Sequence, residues 1–142
     1  MNRDILSLLE AKAGTLLAIR NTGGSLTTYS ASHDTKEYNG VNFSLSPFDD
    51  TTGTPVAYTY DAYDDIKVTV QESDDNITFT DVADDKHLPT IDTDRVLSGT
   101  VKQIGAIGTK RYVRLKFVVT ALALADNKLL MNIAPVFGKL TR

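Results

Sequence analysis

Few residues in this 142-residue chain suggest chemistry. Four acidic pairs come first: Asp49-Asp50, Asp64-Asp65, Asp74-Asp75 and Asp84-Asp85. Loops that gather such pairs can supply the roughly six to eight oxygens that calcium takes. Asp is also favoured in turns, because its carboxylate bonds nearby backbone N–H groups. No stretch has the fixed spacing of an EF-hand loop. The pairs therefore read as solvated turns, and neither a metal site nor a cofactor is expected. His33 and His87 lie far apart in polar segments and read as surface residues. A metal would need a third ligand that the sequence does not name. A Ser-His-Asp triad assembles from distant positions, but no G-x-S-x-G elbow or other nucleophile motif is present. Gly105-Ala106-Ile107-Gly108, followed by Thr109-Lys110-Arg111, has the wrong spacing for a phosphate loop and leads into a strand pattern. No enzymatic activity is expected.

Two groups of residues suit contact rather than catalysis. Lys110, Arg111, Arg114 and Lys116 form one basic cluster. In an extended strand Tyr112, Arg114 and Lys116 share a face. That face is either the ordinary charged exterior of an antiparallel sheet or a surface for an acidic partner. The acidic loops would complement it in a second copy of the chain. Tyr58, Tyr60, Tyr63 and Tyr112 suit sugar stacking or a protein interface, without deciding between them.

Composition bounds the rest. The length allows one domain with one sizeable core. Hydrophobic residues make up 42%, so the chain should fold. A formal net charge of −3 argues against a general nucleic-acid binder and gives no attraction to anionic membrane. Cysteine is absent, which excludes disulfides and thiolate metal sites. No apolar run is long enough to span a membrane. Arg3, Asp4, Glu10 and Lys12 do not suit a secretory signal, so assembly in a cytoplasm is expected.

The elements that must position these residues are mostly strands. Ile66 to Val82 alternates apolar and polar residues, breaks at Ser73-Asp74-Asp75-Asn76 and alternates again. That predicts a β-hairpin with Ile66, Val68, Val70, Ile77 and Phe79 on its apolar positions. Lys110 to Thr120 has the clearest alternation, with Val113, Leu115, Phe117 and Val119 facing one way. Further strands are expected at Ser25 to Tyr38 (weak and edge-like), Gly40 to Leu45, Val56 to Tyr63, Val96 to Ile107 and Leu129 to Phe137. Pro47 to Pro55 and Asp84 to Arg95 read as loops. Asn2 to Arg20 is the one helical candidate, with Ile5, Leu8, Leu9 and Lys12 at helical spacing and Gly14 weakening its middle. A strand over Thr15 to Ile19, or an arm reaching a neighbouring subunit, are the other readings. Seven or eight short strands predict an all-β fold: an antiparallel, jelly-roll-like β-sandwich over residues 25–142, preceded by a short N-terminal helix or arm over 1–24.

Two stretches carry a resemblance. "VTVQESDDNITFTDVAD" and, further on, "IGAIGTKRYVRLKFVVT" resemble small virion proteins of tailed bacteriophages. The shared wording falls on Gln71 to Asp75, Thr78 to Val82, Gly105 to Arg114 and Leu129 to Phe137. The resemblance implies a jelly-roll-like sandwich in a phage particle, some relatives being capsid cement or decoration proteins. The same wording is also similar to galactose-binding-like (discoidin-type) sandwiches, where it is mostly core and turn.

The resemblance thus implies a non-enzymatic decoration protein on the capsid surface. It would bind the major capsid protein lattice and associate with itself as a homodimer or homotrimer. A tail-associated or carbohydrate-binding module is the alternative. Ile5, Leu8, Leu9, Phe48, Tyr112, Arg114 and Lys116 are the expected partner contacts, in the segments Asn2 to Arg20, Pro47 to Pro55 and the basic strand. Asp84 to Arg95 is a further contact segment.

Overall fold

The structure, a computed structural model, describes residues 9–11, 14–20, 25–50, 52–54, 66–88, 102–119 and 128–138. Among these residues eleven strands run in chain order. They are β1 (Leu9–Ala11), β2 (Thr15–Arg20), β3 (Leu26–Tyr29), β4 (His33–Asp34), β5 (Gly40–Asp49), β6 (Ile66–Ser73), β7 (Thr80–Asp81), β8 (His87–Leu88), β9 (Lys102–Ile107), β10 (Tyr112–Val119) and β11 (Lys128–Gly138). A 3₁₀ turn, Asp84–Lys86, precedes β8.

The strands form two antiparallel sheets, as the alternation predicts. β1 and β2 pair along the same edge of β11, and β3 and β4 pair along the same edge of β10. With each of these pairs taken as one interrupted strand, the ladder folds like a long hairpin rolled up. The first strand meets the last (β1/β2 with β11), the second meets β10, β5 meets β9 and β6 meets β7. The roll closes through β11 on β5 in one sheet and β10 on β6 in the other. This is the winding of a jelly roll. The short β8 extends the β11-containing sheet beyond β9.

The core lies between the sheets. Val41, Phe43, Leu45, Leu129, Met131, Ile133 and Phe137 come from one side, and Val68, Val70, Val113, Leu115, Phe117 and Val119 from the other. Burying a large apolar side chain contributes about 1.5–3 kcal/mol. The rows from β5, β10 and β11 therefore carry most of the driving force.

Four expectations need correction. The helix over Asn2 to Arg20 is not formed at Leu9–Ala11 or Thr15–Arg20, which are strands; residues 2–8 lie outside the described residues. Ile19 is fully buried in the core, so sheet pairing and burial outweigh the helical spacing, and the alternative strand over Thr15 to Ile19 is the one formed. The hairpin at Ile66 is real, but its second arm is only Thr80–Asp81, and Ile77 is 83% exposed rather than part of the core. β5 continues past Leu45 to Asp49, so Phe48 sits on a strand and not in a loop. Among the described residues Pro47 has a strand partner only on the β11 side, where it meets Met131; proline is tolerated at such a margin. His87 is completely buried, and His33 is half-buried between the rings of Phe43 and Phe137, at 5.9 and 5.8 Å. The His87 ring stands in for a strand carbonyl: its Nε2 accepts the Val70 N–H at 3.3 Å, while the Val70 carbonyl accepts the Val82 N–H at 2.9 Å, and its Nδ1 lies 3.1 Å from the Ala83 carbonyl. The expected strand at Val56 to Tyr63 lies outside the described residues.

Gly105 packs β9 against β5. A Cβ there would stand 2.6 Å from the Val41 carbonyl oxygen, a backbone atom that cannot swing away. Gly105→Ala is therefore expected to cost about 1–3 kcal/mol by overpacking, read as a lower denaturation midpoint at unchanged slope. An unaltered midpoint would contradict this packing.

Candidate interaction surface

The two stretches that carry the resemblance meet each other. β6 and β10 pair residue for residue, with Gln71 opposite Arg114, Glu72 opposite Val113 and Ser73 opposite Tyr112. Each polar residue of the Gln71-Glu72-Ser73-Asp74-Asp75 run then has a local task. Gln71 Oε1 accepts the Arg114 Nε–H at 2.9 Å, and its Nε2 donates to Asp81 Oδ1 at 2.8 Å. The buried Glu72 accepts the Lys110 backbone N–H at 3.0 Å, and Asp74 lies 3.3 Å from Lys110 Nζ. Ser73 and Asp75 hold the loop that follows. Ser73 Oγ accepts the N–H groups of Asp75 and Asn76 and donates to Asp75 Oδ1. Asp75 Oδ1 accepts those of Ile77 and Thr78, both at 2.9 Å. Asn76 takes φ +60°, which Asn tolerates better than most residues. The loop is thus tied down by its own side chains while holding Ile77 out in solvent.

The outer face of the β10-containing sheet is charged, and most of the charge is matched within the chain. Arg111 makes a two-pronged pair with Asp34, Nε to Oδ1 at 3.1 Å and Nη2 to Oδ2 at 2.9 Å. That contact lowers the Asp34 carboxyl and raises the Arg111 guanidinium from their ordinary values. Lys116 Nζ donates to both oxygens of Asp81, at 2.9 and 2.8 Å. Burial pushes the Asp81 carboxyl up, but the Lys116 and Gln71 bonds outweigh it and leave it below the usual carboxylate value. Arg20 pairs with Asp50. The complementarity between acidic turns and basic strand that the sequence suggests for two copies is thus largely made inside one.

Of the expected contact residues, Tyr112, Arg114 and Lys116 do share one strand face, all half-buried. The Arg111 guanidinium lies 5.0 Å over the Tyr112 ring. Phe48 faces outward from the opposite sheet, so it does not join them. Leu9 belongs to β1, while Ile5, Leu8 and the tyrosines at 58, 60 and 63 lie outside the described residues.

Two features escape a reading of the sequence alone. The first is the outer face of the β11-containing sheet. Ala18, Leu130 and Phe48 stand in one cross-strand row, and Leu16, Asn132 and Ser46 in the next. Ala134 with Ser44 and Val136 with Asn42 continue the face. Leu16 is 66% exposed. The described charges of this face gather at one end, where Arg20 pairs with Asp50 and Lys128 of β11 lies opposite Arg20 in the register. The second is a stack: the Arg114 guanidinium lies 3.9 Å from the Tyr29 ring centroid and 4.0 Å from that of Phe79. No motif signals it, because the three residues come from separate segments.

Asp75 makes a pH test of the loop. The N–H of Thr78, then that of Ile77 and the Ser73 hydroxyl, hold its carboxyl down to about 2, against an ordinary 3.8. A carboxyl depressed on folding stabilises the fold above its unfolded pKa and loses that contribution as pH falls through the folded one. The loss therefore lies between about pH 4 and about pH 2. In Asp75→Asn the difference in urea midpoint from the native chain should be largest above about pH 4 and shrink towards about pH 2. A difference independent of pH would refute this role.

No protein-family model matches the chain, and no curated protein matches it.

Proposed function

We propose that the chain is a non-enzymatic virion structural protein of a tailed bacteriophage. In this reading it is a capsid cement or decoration protein that binds the major capsid protein lattice, associates with itself as a homodimer or homotrimer, and stabilises the head. The observation that carries the proposal is the row of uncharged residues among the described side chains on the outer face of the β11-containing sheet: Leu16, Ala18, Phe48, Leu130 and Val136. The resemblance in β6, β10 and the loops beside them supports the phage setting.

The physical case is one of desolvation. A face of Ala, Leu, Val, Ser and Asn can be covered by another protein without stripping water from ions, and charged residues are depleted at interface centres for the same reason. Phe48, expected as a contact from the sequence, lies within it. At about 4.8 Å between strands and about 3.3 Å per residue, three strands over eight residues present roughly 400 Å². A standard interface takes about 800 Å² from each partner. One copy would thus bind modestly, and strength would come from linked copies spanning several lattice sites. Self-association and lattice binding then support each other, as cementing requires.

Deleting residues 2–20 would remove β2 with its core residue Ile19, so truncation tests the fold and not the contact. Point changes are cleaner. Leu16→Asp and Ala18→Glu alter exposed positions and should weaken co-sedimentation with purified heads lacking the protein by about tenfold or more, roughly 1.4 kcal/mol, at unchanged melting temperature. Native-like binding by both variants would sink this surface, and absence of binding by the native chain would sink the function.

A further inference from the structure

We propose that Arg114 is the centre of a second protein-docking site, on the outer face of the β10-containing sheet, built to take an Asp or Glu side chain flanked by an apolar residue of a partner protein. The inference does not rest on the capsid reading, because it concerns the opposite sheet and requires only a partner with that chemistry.

Charge pairing separates Arg114 from the other described arginines and from the lysines beside it on the chain. Arg20, Lys110, Arg111 and Lys116 each have a carboxylate within the chain: Asp50, Asp74, Asp34 and Asp81 respectively. Arg114 has none among the described residues. Its nearest acidic group in the network, Asp81, is reached only through Gln71 and is already engaged by Lys116 through both oxygens. Its single hydrogen bond among the described residues is from Nε to Gln71, at 2.9 Å. Both Nη groups thus keep donors for an incoming acceptor, and a guanidinium presents such donors in a fork that matches a carboxylate.

The guanidinium is also held still. Tyr29 covers one ring-facing side at 3.9 Å, Phe79 lies at 4.0 Å, and the Gln71 bond fixes rotation about Nε. An arginine free in solvent loses much side-chain entropy when it grips a partner; one already stacked and bonded loses little. The rings attract the cation without neutralising it, so the charge still favours an anion.

The apolar half of the site is Ile77. It sits two residues before Phe79, 83% exposed, on the loop that Ser73 and Asp75 bond in place. An exposed isoleucine on a loop held by its own side chains costs little to order, and the same loop leads within two residues to Phe79 of the Tyr-Arg-Phe cluster. Tyr and Arg are the residues enriched where interfaces concentrate their energy. An acidic protein segment with an apolar neighbour answers both features; a phosphate or a sugar answers only the first.

The test is selection from a displayed random peptide library on the immobilised native chain, with Arg114→Gln and Ile77→Ser in parallel. The native chain should enrich peptides carrying Asp or Glu next to an apolar residue. Arg114→Gln should lose the acidic preference, and Ile77→Ser should lose the apolar neighbour while keeping the acid. If Arg114→Gln fails to fold, the Ile77→Ser selection and the native consensus still decide. A consensus without an acidic residue, the same consensus on Arg114→Gln, or no consensus on the native chain would each overturn the proposal, because an arginine that only ties β3 to the loop selects nothing.

Discussion

Everything in this molecule depends on the register of β10 against β6. The two strands pair from Tyr112 with Ser73 to Val119 with Ile66. That alignment turns Val113, Leu115, Phe117 and Val119 inward over Val68 and Val70. It also sets Gln71 across from Arg114, and Lys116 within reach of Asp81. A slip of one residue would exchange the faces, placing Arg114 and Lys116 in the core and Leu115 and Phe117 in water. Core burial and the outer polar network therefore enforce the same alignment from opposite sides of the sheet.

The edges show how the roll is finished. Between the β1 and β2 pairings the register on β11 steps by one residue, opposite Ala134 and Pro135. Between β3 and β4 it steps by one on β10, opposite Arg114 and Leu115. At the second step the Leu115 N–H donates to Ser30 Oγ at 2.8 Å, while the Ser30 N–H donates to the Leu115 carbonyl at 2.9 Å. A side-chain hydroxyl thus stands in for a backbone carbonyl and keeps the ladder satisfied. Interrupted edges of this kind discourage strand-to-strand addition of further copies, which favours contacts through sheet faces. The motif glycines beside the register have structural tasks too: Gly105 for close approach, and Gly108 for its φ of +65°.

The two outer faces differ in physical character. One carries charges that are nearly all matched within the chain, leaving Arg114 stacked between rings without a carboxylate. Among the described side chains, the other carries charge only at the end that holds Arg20 and Asp50. A sandwich with such unlike faces suits two different partners, since the terms that favour burial of one, apolar contact without ion desolvation, do not operate on the other.

The fold class was legible in the sequence because strand alternation is local. β5, β10 and β11 read directly from Val41-Phe43-Leu45, Val113-Leu115-Phe117-Val119 and Leu129-Met131-Ile133. Alternation failed where both faces are apolar or small. In Thr15–Arg20 the inward Leu17 and Ile19 are interleaved with the outward Leu16 and Ala18, so the period of two is erased and a helix looked equally natural. The feature that hid this strand is the uncharged row itself. The short second arm of the hairpin was hidden differently: Ile77 has the right type and spacing for a core position, yet bonds from Asp75 lift it into solvent. The sequence by itself thus determined an all-β chain with a core of alternating residues and turns rich in Asp. Only the tertiary structure decided which cation finds which anion. Arg111 with Asp34, Lys116 with Asp81 and Arg114 with Tyr29 and Phe79 join segments far apart in the chain, and such pairs exist only once the rolled ladder has set every strand in register.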